Sequence, residues 1–553
     1  MKKIGCVVLA CIMCGTMIGV SACGRVDNNP QGKVDSSKTA LFVYNYDGGV
    51  GSEWVYDIER RFEEDYKDVE FEPGSGKVGV DVVISKGKDT VFASLSTKTY
   101  HVVFTEAVPV YTMQSSGDLL PITDLVTSSL SDVTAGAETA TIESKLTDSR
   151  RAMLTAIDGN YYMLPHYETY AGLTYDVKVF EDYSFFIKQG GGWTSVDSEK
   201  TVGPDGERGT YDDGLPSSYE ELLSLMDRCA SLGVAPFIWT GGYETYTNKL
   251  LSGLDASFAG ADEYQLNYTF DGGTARIITG FDDGTPIVEE IEITPENGYL
   301  MKQAESRYYA LKVFEKIMSN SKYYSDKITG VLSHLEAQGE FIYGDLENAP
   351  IGMLIEGSYW YNEAADYFKR SIATYKDKAK NRKFAWMPLP VQITGSVEEG
   401  QGEKPTLVDA NSSYAFINAT TTKNDENMKA LSKLFLKYCY TNKSLQDFVL
   451  TTGVFKGATV DLSGIDISAL DYYKQSVVQI RQDANILVPG SAHRIAVNNY
   501  VMPQYDWESV VNNTTPYSHP IYAFKSKVSA EDVFMGQWLT QKDWNDKNGD
   551  YFN

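Results

Sequence analysis

Carboxylates stand beside aromatic rings in one short segment, residues 356–360, which reads EGSYW. The rings of Tyr359 and Trp360 offer flat apolar faces, and the carboxylates of Glu356 and Glu363 accept hydrogen bonds. This combination suits a saccharide, whose rings present C–H faces and paired hydroxyls. A helical segment would carry both acids on one face, because they lie seven residues apart. We predict ligand contacts here, against the alternative of a helix start with core aromatic residues.

A second segment of the same kind is residues 237–243, which reads FIWTGGY. It ends a predicted short strand, and its two glycines permit close approach of the backbone to a ligand. We predict that Trp239 and Tyr243 contact a ligand from this loop. A tryptophan buried in the core is the alternative for Trp239.

Acidic residues and glycines are concentrated in residues 203–214, which read GPDGERGTYDDG. Calcium prefers several hard oxygen ligands, and Asp205, Asp212 and Asp213 would supply carboxylates from this loop. The spacing differs from that of an EF-hand. A structural Ca²⁺ site is one interpretation, and a solvated acidic loop is the other.

Motifs of nucleotide-dependent and hydrolytic enzymes are missing from the sequence. Residues 74–79 spell G-x-G-x-x-G, but a strand with alternating apolar residues follows and no helix begins there, so we predict a turn. The patterns G-x-S-x-G and H-E-x-x-H are absent, and the five histidines are dispersed. No cofactor is required. Two carboxylates are enough for a glycoside hydrolase, so that class stays open.

Composition limits the class of protein and its partners. The chain has 553 residues, of which 42% are hydrophobic and 22% charged, as is typical of folded globular proteins. Its 49 Lys and Arg residues against 75 Asp and Glu residues give a net charge of -26. Such an acidic protein repels a phosphate backbone, so we predict no nucleic-acid partner.

The N-terminus has the features of an export signal. Two lysines precede an apolar stretch at residues 4–20, and the sequence VSACG follows around Cys23. Small residues before a cysteine resemble the bacterial lipobox, so we predict a lipoprotein signal peptide at residues 1–22 and a lipid on Cys23. Residues 23–39 are mostly polar, as in a flexible tether.

Strands and helices alternate in the first part of the chain. The spacing of Trp54, Ile58 and Phe62 predicts a helix over residues 53–66. Apolar runs predict strands at residues 41–44, 69–71, 78–85 and 101–104. This order is typical of an α/β sheet. Ligands bind such sheets at the carboxyl ends of the strands, so we expect Trp54 and Glu106 to contribute contacts from this part of the chain, with a structural role as the alternative for each.

A change of organisation follows a turn at residues 158–160, where the chain continues extended to residue 175. We interpret this stretch as a crossing between two lobes. Helical spacing resumes around residues 219–233, 305–318 and 426–440. The predicted boundaries are residues 40–165 for the first lobe, 166–384 for the second lobe with insertions, 385–418 for a return to the first lobe, and 419–553 for C-terminal helices of the second lobe.

Several segments, taken in order, resemble the extracellular solute-binding proteins of bacterial ABC importers, in the carbohydrate group related to maltose-binding protein. The resemblance covers most of the chain after Cys23. The segments that carry it are residues 120–125 (LPITDL), 158–165 (DGNYYMLP), 214–222 (GLPSSYEEL), 355–360 (IEGSYW), 386–390 (WMPLP) and 435–438 (FLKY). The chain exceeds the usual family length, with extra residues around 181–213 and 254–296.

This resemblance implies an α/β, two-lobed fold of the periplasmic-binding-protein type, with hinge strands between lobes that close on a sugar. It also implies an oligosaccharide ligand, an ABC permease as partner, and a monomer held by its lipid on the extracellular face of the cytoplasmic membrane. Near the implied hinge we expect four more sugar contacts, namely Tyr167, Glu168, Asp409 and Asn411. Such a protein is no enzyme. The alternative is a surface glycoside hydrolase or a non-transport carbohydrate-binding protein.

Overall fold

Two separate β-sheets organise the protein into two lobes. The structure, a computed structural model, describes residues 34–410, 412–498, 507–509, 511 and 517–552. The predicted signal peptide, Cys23 and Asn411 lie outside these residues. Within the part of the chain that is described, no helix combines the length and apolar character needed to cross a bilayer.

The first lobe is built on a five-stranded sheet. In spatial order its strands are Val80–Gly87, Thr39–Tyr46, Val102–Thr105, Tyr414–Ile417 and Met163–Pro165. The first three run parallel and the last two pair antiparallel with their neighbours. Val102, Val103 and Phe104 have no exposed surface, as expected for a strand that is covered on both faces.

The second lobe is built on a four-stranded sheet. Its strands are, in spatial order, Phe384–Met387, Ala171–Asp176, Ile351–Gly357 and Ala235–Ile238. The longer helices packed around it are Tyr219–Ser231, Thr245–Ala259, Glu305–Ser319, His334–Gly344 and Tyr472–Asp483. Ser218 caps the first of these helices by accepting a hydrogen bond from the Glu221 amide.

Further strands and helices complete the chain. Three pairs of strands lie outside the two main sheets, namely Phe186–Ile187 with Trp193–Thr194, Thr274–Asp282 with Thr285–Glu292, and Thr406–Val408 with Asn485–Leu487. The other helices are Glu53–Asp65, Val110–Ser115, Thr123–Thr127, Asp148–Leu154, Val177–Tyr183, Ala261–Thr269, Trp360–Glu363, Ala365–Tyr375, Asp377–Lys380, Ala419–Thr422, Glu426–Tyr438, Asn442–Thr452, Arg494–Asn498, Pro520–Lys525, Ala530–Met535 and Gln541–Asn548. The first two strand pairs fall in the two stretches predicted to be insertions.

The structure corrects two of the predicted lobe boundaries. The helices Glu426–Tyr438 and Asn442–Thr452 belong to the first lobe, since their apolar faces lie in its core, where Phe435 meets Phe62 at 5.1 Å between ring centroids. The strand Phe384–Met387 belongs to the second sheet, although its first residue alone was assigned to that lobe. The strand predicted at residues 69–71 does not form.

The chain crosses between the lobes in three places, at residues 166–170, within 388–413, and within 453–471. Backbone hydrogen bonds join these crossings side by side. The Ala410 amide donates to the Thr169 carbonyl at 2.8 Å, and the Glu168 amide donates to the Phe455 carbonyl at 2.8 Å. The three segments therefore form one compact hinge.

A buried ion cluster ties the hinge to both lobes. Arg150, on a first-lobe helix, lies 2.9 Å from Asp409 and 3.3 Å from Glu168. Arg481, on a second-lobe helix, lies 2.7 Å from Glu168, and Tyr170 donates its hydroxyl to the same carboxylate. Burial opposes ionisation of Glu168, but the charges of Arg481 and Arg150 outweigh it and lower its pKa. Glu168 therefore remains ionised at neutral pH.

Removal of Arg150 should destabilise the protein strongly. The substitution Arg150→Met leaves Asp409 buried without its ion-pair partner, which costs roughly 3–5 kcal/mol of unfolding free energy. Urea unfolding followed by circular dichroism measures the loss. The exposed pair of Arg60 with Asp57 gives the matched control, Arg60→Met, for which we expect a change below about 0.5 kcal/mol. Equal effects of the two substitutions would contradict a structural role for the cluster.

Candidate functional site

The first-lobe side of the cleft between the lobes is formed at the carboxyl ends of parallel strands. Tyr46 ends one strand, and Glu106 follows the strand Val102–Thr105. Ala107 has a left-handed backbone with φ +56°, an uncommon conformation that turns the chain directly after Glu106. The Glu106 carboxylate accepts hydrogen bonds from the Tyr167 hydroxyl and from the Gly49 amide. Glu106 and Tyr167, both predicted ligand contacts, therefore lie together.

The second-lobe side carries two further glutamates. Glu356 lies in the strand Ile351–Gly357, and Glu363 lies in the short helix that follows. The buried amide of Gln338 joins them by donating to Glu356 at 3.1 Å and to Glu363 at 2.7 Å. Glu356 and Glu363 therefore lie together, as predicted. A strand, a turn and a short helix bring them together, whereas one helical face was predicted.

The two sides of the cleft touch at Gly49 and Tyr359. A Cβ atom on Gly49 would lie 2.8 Å from the Tyr359 ring, so this close approach requires glycine. Tyr359 belongs to the second lobe yet packs against the first-lobe core. Beside this contact is a cavity of about 300 Å³, lined by residues 48–51 of the first lobe and by Tyr361, Asn362 and Lys474 of the second.

The helix Thr245–Ala259 adds a tyrosine and a lysine. Tyr246 hydrogen-bonds Tyr359, and Lys249 lies half-buried near Glu356 and Glu106. Burial lowers the pKa of Lys249, although the nearby carboxylates act in the opposite direction. Among the described residues, no carboxylate oxygen lies within 4 Å of the Lys249 ammonium nitrogen, which is the distance limit for an ion pair.

Two carboxyl groups of the cleft, those of Glu106 and Glu356, have raised pKa values. Burial, followed by the charge of Glu363, raises the pKa of Glu106 to about 7. The same two causes raise the pKa of Glu356 to about 8. Both groups therefore change protonation near neutral pH, as is common for side chains at functional sites.

Aromatic rings form the outer rim of the cleft. Tyr243 is 51% exposed, and its ring lies 5.7 Å from that of His334. The His334 ring stacks with Tyr246 at 6.0 Å between centroids and an interplanar angle of 15°. His334 also lies 3.6 Å from Glu363, which links the rim to the inner carboxylates. The structure therefore places Tyr243, a predicted ligand contact, at the entrance of the cleft.

The three predicted tryptophans lie in hydrophobic cores. Trp54 is 1% exposed and packs against Phe104, while Trp239 is 4% exposed in the core of the second lobe. Trp360 has no exposed surface and is enclosed by aromatic rings that include Phe384. A large apolar ring stabilises the protein more when it is buried in a core than when it is exposed at the surface. The predicted sugar-stacking role of these tryptophans is therefore replaced by core packing.

Glu168 and Asp409 also have a different role from the one predicted. Both are almost fully buried in the ion cluster of the hinge, where arginines occupy their oxygens. They are therefore not free to bind hydroxyls.

The predicted calcium ligands do not converge. The Asp205 amide donates to Asp212 at 3.1 Å, whereas Asp213 accepts from the Gly209 amide at 2.9 Å. Burial and the charge of Asp205 raise the pKa of Asp212 to about 7, and Thr210 donates to its carboxylate at 2.6 Å. Across the described ranges, no three His, Cys, Asp or Glu side chains are grouped so as to hold a metal ion. The loop is held by its own hydrogen bonds.

Several residues of the cleft were not predicted as ligand contacts from the sequence. They are Tyr46, Tyr246, Lys249, His334 and Gln338. Tyr46 ends a strand of the first sheet, where the carboxyl ends of the strands were expected to face a ligand, so its position was a usable signal. The helices that carry the others come near the cleft through tertiary packing, for which the local sequence gives no sign.

A larger cavity of about 550 Å³ lies elsewhere in the second lobe. Its lining includes Tyr264, Phe270, Trp538 and Trp544, and it shares no residue with the cleft.

The chain belongs to the family of bacterial extracellular solute-binding proteins, whose model matches residues 47–446. A chitin oligosaccharide binding protein is 14% identical with a TM-score of 0.52, over 93% of this chain and 100% of that one. A probable secreted solute-binding lipoprotein from Streptomyces coelicolor is 14% identical with a TM-score of 0.51, over 91% and 98%. These two likenesses show a shared two-lobed fold.

A third solved structure has the same fold. The cyclic alpha-maltosyl-1,6-maltose binding protein from Arthrobacter globiformis is 13% identical with a TM-score of 0.50, over 91% of this chain and 97% of that one. No curated protein matches the sequence.

The raised pKa of Glu356 predicts a pH-dependent effect of the substitution Glu356→Gln. An acid whose pKa is higher in the folded state stabilises the protein below its ordinary pKa, and this stability is lost as pH rises through about 8. The variant should match the wild type in thermal unfolding at pH 5 and exceed it at pH 8.5 by roughly 1–3 kcal/mol. The exposed Glu399, changed to Gln, serves as the control. An offset that is the same at both pH values would contradict the assignment.

Proposed function

We propose that this protein is the substrate-binding component of an ABC sugar importer, which captures an oligosaccharide in the cleft between its lobes. The observation that carries the proposal is that Glu106 of the first lobe faces Glu356 and Glu363 of the second among tyrosine rings. A saccharide needs hydroxyl partners and flat apolar faces together, and this cleft offers both. The sugar-binding names of the proteins with the same fold support the same class of ligand.

In the proposed mechanism the ligand closes the lobes without a change in any of its bonds. Hydroxyls that bridge Glu106 with Glu356 favour the closed form, because only that form offers both partners. The hydroxyl donors also offset the repulsion between the carboxylates. Tyr243 and His334 at the rim would then stack against an outer sugar ring, which favours an oligosaccharide over a monosaccharide.

The sequence before the first strand supports a location at the membrane. The lipobox-like segment at Cys23 would supply a lipid anchor, and residues 24–39 would let the folded part reach a permease. Delivery to an ABC permease on the extracellular face of the cytoplasmic membrane is the role that the family implies.

A glycoside hydrolase is the second candidate, and one observation favours it. Since the Gln338 amide bonds both glutamates, carboxyl oxygens of Glu356 and Glu363 lie within about 6 Å of each other, near the roughly 5–5.5 Å of retaining glycosidases. The raised pKa of Glu356, about 8, would suit a general acid.

Binding and turnover can be measured on the same samples. Isothermal titration calorimetry with fragments of mannan, xylan, starch and chitin identifies a ligand, with peptides as a control class. We expect one saccharide family to bind and chromatography to recover it intact after prolonged incubation. Cleavage products would favour the hydrolase, and binding of peptides alone would overturn the proposal.

The substitution Tyr243→Ala should weaken binding of that saccharide by roughly 1–3 kcal/mol without unfolding the protein, because the ring is half exposed and supplies a stacking face. Calorimetry measures the affinity, and thermal unfolding checks the fold. The matched control is Tyr375→Ala, at the end of the helix Ala365–Tyr375, where the hydroxyl bonds Glu347 instead of facing the cleft. Equal affinities of the two variants would exclude Tyr243 from the site.

A further inference from the structure

The cleft brings several acidic side chains together. They are Glu106, from the first lobe, and Glu356 and Glu363, from the second. Lys249 acts on Glu106 and Glu356, Lys88 acts on Glu106, and Lys474 lines the adjacent cavity. In the described part of the chain, none of these lysines lies within ion-pair distance of the three acids.

Lys249 does not neutralise these acids by direct contact. In the described part of the chain, no carboxylate oxygen lies within ion-pair distance of its ammonium group, although Glu356, Glu106, Asp409 and Glu363 all influence its pKa. The hinge arginines Arg150 and Arg481 are already paired with Glu168 and Asp409. Within the described residues, no lysine or arginine therefore forms a direct ion pair with the three acids of the cleft.

A buried acceptor of the same cluster has no donor. Gln338 has no exposed surface, and its amide nitrogen is shared between Glu356 and Glu363. Its side-chain oxygen is buried without a hydrogen-bond partner. An unpaired buried carbonyl is costly, so this oxygen is available to accept a hydrogen bond within the cluster.

The other polar groups around the cleft do not change this balance. The Tyr167 hydroxyl is already used by Glu106, and Tyr246 and Tyr359 hydrogen-bond each other. His334 lies beside Glu363 at the rim, where it can offset part of that charge when protonated. The tyrosine hydroxyls of the cleft are therefore already engaged within the protein.

We infer that the cleft selects a saccharide that carries a free amine, in preference to its neutral or N-acetylated form, and rejects one that carries a carboxylate. This inference rests on the proposed function and names the chemical class of its ligand. An ammonium group supplies up to three donors and a positive charge, so it matches the carboxyl groups and the unpaired Gln338 carbonyl together. A uronate would add a fourth carboxyl group to a cleft that already holds three.

The pKa values of Glu106 and Glu356 are consistent with this ligand class. Both are raised, first by burial and then by the charge of Glu363. An ammonium group in the cleft would lower both and release protons on binding.

The test uses saccharides that differ only in charge. The full-length folded protein is titrated by calorimetry at pH 6.5 with the same trisaccharide carrying a hydroxyl, an acetamido or an amino group at carbon 2, and with the matching uronate. Glucose, galactose and mannose series are all included, so that ring stereochemistry does not decide the result. In a series that binds, we expect the amine to bind about tenfold tighter or better than the hydroxyl and acetamido forms, and the uronate to bind weakest.

Variants separate charge selection from simple loss of the site. Glu363→Gln keeps the shape and removes one carboxylate, so the affinity for the amine should fall several-fold more than the affinity for the neutral saccharide, whose hydroxyls the amide can still bind. Glu399→Gln, on the exposed surface, should leave that ratio unchanged. Proton release upon amine binding, measured in buffers of different ionisation enthalpy, provides a second readout.

The outcomes distinguish the inference from the function on which it rests. Neutral saccharides that bind as tightly as amines would overturn the inference and leave the proposed function standing. A wild-type preference for uronates would overturn it as well. If no saccharide of any charge binds, the proposed function falls and this inference falls with it.

Discussion

The buried ion cluster of the hinge is the interaction on which the two-lobed arrangement depends. Glu168 and Asp409 lie on neighbouring crossing segments, and their charges would be prohibitively costly in this buried position without partners. Arg150 comes from the first lobe and Arg481 from the second, so neutralisation requires both lobes to meet at the hinge. The backbone hydrogen bonds between the crossings fix the same geometry.

Each of the two lobes that meet at this hinge contributes residues to the cleft. Carboxyl ends of parallel strands bring Tyr46 and Glu106 to the first-lobe edge, and the end of the strand Ile351–Gly357 brings Glu356 opposite. Gly49 lets the lobes approach until the backbone touches Tyr359. Burial and the charge of Glu363 raise the pKa values of Glu106 and Glu356, and a bound ligand with hydrogen-bond donors would relieve the repulsion between the carboxylates.

Local patterns were enough for the α/β class and most of the strands of the first lobe, and they singled out Glu106, Tyr167, Glu356 and Tyr359, which the structure places between the lobes. They failed where tertiary packing decides. An aromatic residue beside an acid reads alike in a cleft and in a core, so Trp360 could not be told from Tyr359 although they are adjacent. In the sequence Glu168 resembles a ligand contact. Only its ion pair with Arg481, which lies on a distant helix, shows its structural role. The lobe of the helix Glu426–Tyr438 depended likewise on which core its apolar face meets.

Hydrogen–deuterium exchange, measured with and without a saturating saccharide, tests the central claim most directly, because it reports every part of the molecule at once. A ligand held between the lobes should slow amide exchange at residues 46–51 and 104–107 of the first lobe and at residues 245–249 and 355–363 of the second. Protection confined to one lobe, or centred on the cavity at Trp538 and Trp544, would contradict binding in the cleft.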